Sequence, residues 1–257
     1  MAKVPVTVLE QNTTTNPTVT LFIPCYVDQL APAVPAALLT LLARLGVAWQ
    51  LPPGQTCCGQ LAYNAGDRPG AAKLLQHFAA VFAGTGPIVC PGPSCVRMVR
   101  RHAVDLLPTP EARRSLAAVS DRLVDLAEYL LARTPFPFSL AWHGRVFVHQ
   151  SCAARELGLL PTLQELLSQI KGVELCTLPA AFSCCGFGGL FALKQKELSQ
   201  IIGWRYLQAV ATTAATVVVS PDVGCLLHLQ ALAQVQNLPL RFLHVAQFLA
   251  AAMGPSS

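Results

Sequence analysis

Charge is scarce in this sequence. Asp, Glu, Lys and Arg together make up 12% of 257 residues, against roughly 25% in an average soluble domain. The 18 basic residues exceed the 13 acidic ones by five but are scattered, apart from small groups such as Arg97, Arg100 and Arg101. With no aromatic-and-basic stripe, a nucleic-acid surface is excluded, and the charge reads mostly as solvated faces. Long apolar runs are also missing. The nearest, Leu30 to Trp49, is broken by Pro32, Pro35, Arg44 and Gly46, which excludes a membrane helix of roughly 18 or more apolar residues. The opening "MAKVPVTVLEQNTTTNPT" lacks the apolar core of a secretion signal, so a soluble, cytoplasmic protein is expected. Nucleotide and hydrolase signatures are absent too: there is no Walker motif and no Ser-His-Asp constellation. "GFGGLF" fails as a dinucleotide fingerprint because Phe191 stands where the last glycine should be.

What the chain has instead is apolar residues, 53% of the total, and ten cysteines. The apolar content can bury a large core and leaves surface suited to cover by partner subunits. An even cysteine count suits a disulfide framework in a short secreted chain. In a long, core-rich chain without an export signal, metal or redox chemistry is the better reading.

The cysteines repeat. Cys25 is followed at a distance by Cys57-Cys58-Gly59, and the identical spacing separates Cys152 from Cys184-Cys185-Gly186. One constant offset maps all four positions of the first set onto the second, which marks two homologous halves. The surroundings repeat as well. "VTLFIP" and "RVFVHQ" read as buried strands that end at Cys25 and Cys152. Helical patterns follow each, up to Gly46 in the first half and through "AARELGLLPTLQELLSQI" in the second, with Pro161 suited to a helix start. Then come the strands "VAWQL" and "VELCTL", the Cys-Cys-Gly turns, helices near residues 71–82 and 194–211, and the strands "PIVC" and "TVVVS". A cysteine opening a further helix closes each set: Cys95 in "PSC", Cys225 in "VGC". Residues 108–133 read as one or two helices.

Alternating strands and helices predict two α/β domains, each a small parallel sheet flanked by helices. The expected limits are a flexible segment at 1–18, a first domain at 19–134 and a second at 145–253, joined through "TPFPFSLAWHG". Ligands of such sheets gather beyond the carboxyl ends of the strands, where all the repeated cysteines fall.

Each half therefore offers four thiols: Cys25, Cys57, Cys58 and Cys95, then Cys152, Cys184, Cys185 and Cys225. Four thiolates suit an iron–sulfur cluster or a structural zinc ion. Adjacent cysteines favour the cluster, because neighbouring side chains diverge and can each find a different iron. Gly59, Gly186, Gly188 and Gly189 allow close approach to the inorganic sulfides, and their amides can point at sulfur.

The stretches "TCCGQLAYNAG", "PGPSC", "SCCGFGGLFALK" and "CLLHL" resemble the tandem CCG (cysteine-rich) domain proteins over about residues 19–250. The likeness is greatest to the lactate utilization protein A group and more distant to the cysteine-rich subunit of heterodisulfide reductase. It implies an iron–sulfur, electron-transfer subunit of an oxidoreductase, with one cluster, [4Fe-4S] in type, per domain. It also implies partnership with the other lactate utilization subunits in oxidising L-lactate to pyruvate. The full CCG pattern ends in Cys-x-x-Cys and supplies five thiols. Here Gly92 and Asp222 stand three residues before the last cysteine of each set, so four thiols fit an ordinary cubane. A disulfide or quinone reductase of the heterodisulfide type and a non-redox zinc-binding scaffold stay open as alternatives.

Other side chains carry an ordinary reading beside a functional one. Cys90 could be a fifth ligand but sits inside "PIVC", and with Cys176 it reads as a buried apolar thiol. His149, three residues before Cys152, suits a ligand, a proton relay or a hydrogen-bonded group at a strand end. His228, one helical turn after Cys225, either faces the second cluster or packs elsewhere. Tyr63, Asn64 and Lys194 follow the Cys-Cys-Gly turns and either support the site or serve packing and solvation.

Overall fold

The computed structural model describes residues 18–179 and 184–254. The N-terminal segment read as flexible lies outside these residues, apart from Thr18, and so does Ser183 before the second Cys-Cys-Gly. In the first half, β1 (Val19–Leu21) leads to α1 (Cys25–Leu30) and α2 (Ala33–Arg44). β2 (Trp49–Gln50) leads to α3 (Gln60–Ala65) and α4 (Arg68–Val81), and β3 (Ile88–Cys90) to α5 (Pro93–Arg97). A π-helical turn (Met98–His102), a 3-10 turn (Val104–Leu106) and α6 (Pro110–Ser120) precede β4 (Leu123–Asp125) and α7 (Leu126–Leu131). The second half repeats the order. β5 (Ala141–Val148) leads to α8 (Cys152–Glu156) and α9 (Leu159–Ser168), and β6 (Lys171–Cys176) to α10 (Leu190–Lys194) and α11 (Lys196–Ala211). β7 (Val217–Ser220) leads to α12 (Val223–Val235), and β8 (Arg241–His244) to α13 (Val245–Ala252).

The two sheets have one topology, β2-β1-β3-β4 and β6-β5-β7-β8, and every pairing is parallel. The fold is thus the α/β pair expected. It differs in two edge strands, β4 and β8, where helix or no element was read. β5 also starts at Ala141, inside the segment read as the join. Helix α9 begins at Leu159, capped by Gly158 at φ 72°, so Pro161 lies within its first turn. A missing N–H costs nothing there.

Strand alternation sends side chains to two places. Val19, Leu21 and Val89 of the first sheet, and Val146, Val148, Val217 and Val219 of the second, enter one central core. Phe22, Ile88 and Cys90 face outward into a cluster under α4, and Phe147 and Val218 into another under α11. Helices of both halves build the central core between the sheets. α2 packs on α13 and α9 packs on α7; α1 meets α12 and α8 meets α5; α3 meets α10. Each contact recurs when the halves are exchanged, which is the pattern of an approximate twofold axis. That axis turns the carboxyl ends of both sheets toward each other.

Candidate metal centre

Each thiol is placed by the end of a strand. Cys25 is the first residue of α1, after Pro24, and Cys152 the first of α8, where the Ser151 hydroxyl caps the helix by accepting from the Ala154 amide at 3.1 Å. Cys95 and Cys225 lie in the first turns of α5 and α12, after β3 and β7. The Cys-Cys-Gly turns follow β2 and β6. All eight thiols line one cavity of about 180 Å³ between the halves. The sequence repeat groups them by fours, and the approximate twofold brings both groups to one space.

Within each set the geometry repeats. Cys58 and Cys95 are buried with their Sγ atoms 3.2 Å apart, and Cys185 and Cys225 are buried at 2.9 Å. The other thiols lie nearer solvent: Cys25 and Cys57 are half-buried, while Cys152 and Cys184 are exposed. The Gly59 amide donates to Cys57 Sγ at 3.3 Å, and its counterpart Gly186 donates to Cys184 Sγ at 3.4 Å. Phe187 N–H adds a bond to Cys185 Sγ at 3.5 Å. These turns need glycine. Gly59 and Gly186 sit at φ 86° and 88°, and a Cβ on Gly186 would lie 2.4 Å from the Ser199 carbonyl oxygen. Gly188 and Gly189 line the cavity, whereas Gly59 and Gly186 stand behind the thiols they hold.

The shared protons favour one thiolate per set. Hydrogen bonds from Cys25 and then Cys58 push Cys57 down to about 2, against burial and with help from the Gly59 and Leu61 amides. Cys25 and Cys58 are held correspondingly high. In the second set the contact with Cys225 pushes Cys185 down to about 4, with His149 and the Phe187 amide assisting against burial, and Cys225 is held high. Thiolate is the form that binds metal.

Several residues at the site have no role assigned from the sequence alone. Asp222 is buried and lines the cavity, and burial raises its carboxyl while hydrogen bonds from Ser94 and then Ser151 pull it back. The Ser94–Asp222 bond crosses between the halves. Arg97, also on the wall, pairs with Glu156 at 2.7 Å and counters the burial that raises the Cys152 thiol. The fifth-thiol positions are otherwise engaged. A Cβ on Gly92 would lie 3.0 Å from the Pro24 ring, and Asp222 takes the matching place opposite Ser151. The one sequence signal for Asp222 was its position three residues before Cys225.

The remaining candidates separate. Asn64 lines the cavity; Tyr63 does not, and stacks on His102 with ring centroids 5.4 Å apart. Lys194 is exposed at the end of α10. Cys90 lies in the outward cluster beneath Gly92, and Cys176 faces the Val146 carbonyl at 3.5 Å; neither reaches the cavity. His228 turns to Ser199 Oγ at 3.5 Å, behind the second Cys-Cys-Gly turn. His149 is fully buried behind Cys185 and Cys225.

Two like halves, each presenting a lone cysteine, a Cys-Cys-Gly turn and a helix-opening cysteine to one cavity, define a tandem cysteine-rich-domain protein. The cysteine-rich (CCG) domain family matches the chain twice, over residues 19–100 and 146–230. Lactate utilization protein A 2 of Bacillus cereus (strain AH820) is 32% identical over 237 residues, covering 90% of this chain and 97% of the relative. Lactate utilization protein A of Bacillus velezensis is 31% identical over 233 residues, covering 90% and 98%. The chain belongs to the cysteine-rich domain family, in the lactate utilization protein A group. Among solved structures, a hypothetical protein from Helicobacter pylori shares the fold, with a TM-score of 0.62 at 12% identity over 96% of this chain. The chain spans about half of that protein, 52% of its length. No helix among the described residues is long and apolar enough to cross a membrane.

The donors present fit metal or cluster binding. Eight sulfur atoms line one cavity, a close pair in each half, with amides pointing at them and glycines leaving room beside them. This is the donor chemistry that soft, thiolate-bound metals require.

Proposed function

We propose that the chain is the iron–sulfur electron-transfer subunit of a cytoplasmic lactate-oxidising system. Its two domains, taken as 19–134 and 145–253, would each hold one [4Fe-4S] cluster. L-lactate gives up two electrons and two protons to become pyruvate. The hydroxy-acid chemistry falls to the partner lactate utilization subunits, because no flavin or nucleotide signature occurs in this sequence. A cluster bound at each thiol set supplies one-electron storage and transfer. The protein's own part is to hold the thiolates, to aim the Gly59, Gly186 and Phe187 amides at sulfur, and to keep the buried thiols from bulk water.

The observation that carries this reading is the convergence of two four-thiol sets on one cavity. Centres held by the two sets would border one cavity, which suits relay of single electrons. The names of the relatives supply lactate. A direct disulfide-reducing role is less favoured, because Gly92 and Asp222 fill the places of the additional thiols. The test is anaerobic purification with iron, sulfide and zinc counts and paramagnetic-resonance spectra. Iron and acid-labile sulfide in both halves are expected, with about half of the iron lost in Cys58→Ser and the other half in Cys185→Ser. Zinc without sulfide would end this reading in favour of a scaffold.

A further inference from the structure

The two halves differ at one buried pair. In the first, Phe22 at the end of β1 meets Phe78 of α4 edge to face, with centroids 4.8 Å apart at 79°. The offset that carries Cys25 to Cys152 carries Phe22 to His149, and it brings Phe78 to the position just before Tyr206. His149 and Tyr206 meet in the same manner, with centroids 5.1 Å apart at 89°. Both His149 and Phe22 continue the strand ladder, through His149 N–H to the Val219 carbonyl at 2.8 Å and Phe22 N–H to the Val89 carbonyl at 3.0 Å. A hydrocarbon pair in one half is thus a polar pair in the other.

Burying an imidazole costs free energy unless its nitrogens are engaged. His149 is fully buried, and Nδ1 is bonded to the Tyr206 hydroxyl at 2.5 Å. Nε2 is buried with no hydrogen-bond partner. A ring nitrogen of His149, Cys185 Sγ and Cys225 Sγ all lie within 4.8 Å of one another. One nitrogen held by a hydroxyl and the other left open beside two thiols is the arrangement of a metal-ligating histidine.

We propose that His149 Nε2 is a ligand to an iron atom of the centre held by Cys185 and Cys225. The inference rests on the iron–sulfur reading above. With His149 the second half has five candidate donors for the four irons of such a centre, so the imidazole takes the place of one thiolate where the first half uses four. Tyr206 is a positioning residue: its oxygen accepts the Nδ1 proton, so the lone pair stays on Nε2. A neutral imidazole in place of a thiolate lowers the negative charge on the iron and raises its reduction potential. The two centres are therefore unequal, with the second the easier to reduce.

The test uses the full chain, labelled with 15N-histidine, reconstituted anaerobically with iron and sulfide and then reduced. Electron–nuclear double resonance should find a strongly coupled nitrogen that changes with the label. It should vanish in His149→Phe and in the paired variant His149→Phe with Tyr206→Phe, which copies the first half and guards against misfolding. Iron should remain in both variants, with the higher of two midpoint potentials falling toward the lower. Tyr206→Phe alone should keep the coupling and shift that potential. Iron in both halves without histidine coupling, or coupling that survives His149→Phe, overturns the ligand and leaves the cluster reading standing. Absence of iron overturns both.

Discussion

Ser94 and Asp222 join the two halves beside the thiols: the Ser94 hydroxyl donates to the buried Asp222 carboxyl group. Removing the acceptor leaves the Ser94 and Ser151 hydroxyls without it. Asp222→Ala should lower stability by about 1–3 kcal/mol, and Asp222→Asn, which keeps an acceptor, by less. Urea unfolding of the apo chain measures both. Equal losses would show that the bond across the halves is not what Asp222 contributes.

The two Cys-Cys-Gly turns should tolerate a methyl group unequally. Both glycines have left-handed backbone, for which a side chain costs about 1–2 kcal/mol. At Gly59 the new Cβ meets the Ala71 carbonyl oxygen at 3.2 Å, a contact that small shifts relieve. At Gly186 it meets the Ser199 oxygen at 2.4 Å and the Gly203 nitrogen at 3.1 Å, both backbone atoms. Gly186→Ala should unfold at a clearly lower temperature than Gly59→Ala and lose iron from the second half. Thermal melts with metal analysis decide the order.

Cysteines off the cavity should be dispensable for metal. Cys90→Ala removes a sulfur from the outward cluster and should cost about 1 kcal/mol through the space left behind. Its iron content should match that of the unaltered chain, as should that of Cys176→Ser. Loss of iron in either variant would move that thiol into the site.

Two buried helix caps give stability an opposed pH dependence. His244 caps α13 and accepts from the Ala246 amide at 3.1 Å, and burial pushes its pKa down to about 4. The unfolded chain takes up this proton near pH 6.5, so stability from neutral His244 falls as pH drops from about 6.5 toward 4. The full loss is about 3 kcal/mol. Asp125 caps α7, and burial raises it to about 7. Folding then retains a proton that the unfolded chain releases above about 3.9, so this contribution is lost as pH rises toward 7. His244→Asn keeps a capping acceptor and removes the acid-side loss. Relative to the unaltered chain, it should gain stability steadily between pH 6.5 and 4. A pH-independent difference would show that His244 does not titrate on unfolding.

The duplication, the parallel sheets and the eight thiols were legible because each rests on local pattern. β4 and β8 were not. Leu123–Asp125 and Arg241–His244 are too short to show a period, and they become strands by pairing with β3 and β7. The common cavity was hidden for another reason. It depends on α2 choosing α13 and on α7 choosing α9, and an apolar helix face does not name its partner. The His149–Tyr206 pair lies far apart in sequence and emerges only when α11 crosses the end of β5.

A shared central core has one more consequence. Two identical chains related by a twofold must carry every side chain twice, so a phenylalanine and a histidine could not stand at equivalent places. Here α2 with α13, and α7 with α9, fasten the halves within a single polypeptide. Phe22 and His149 are free to differ while the frame stays symmetric. Covalent union thus lets an even-handed scaffold carry two unlike sites, one edged by a hydrocarbon ring and the other by an imidazole.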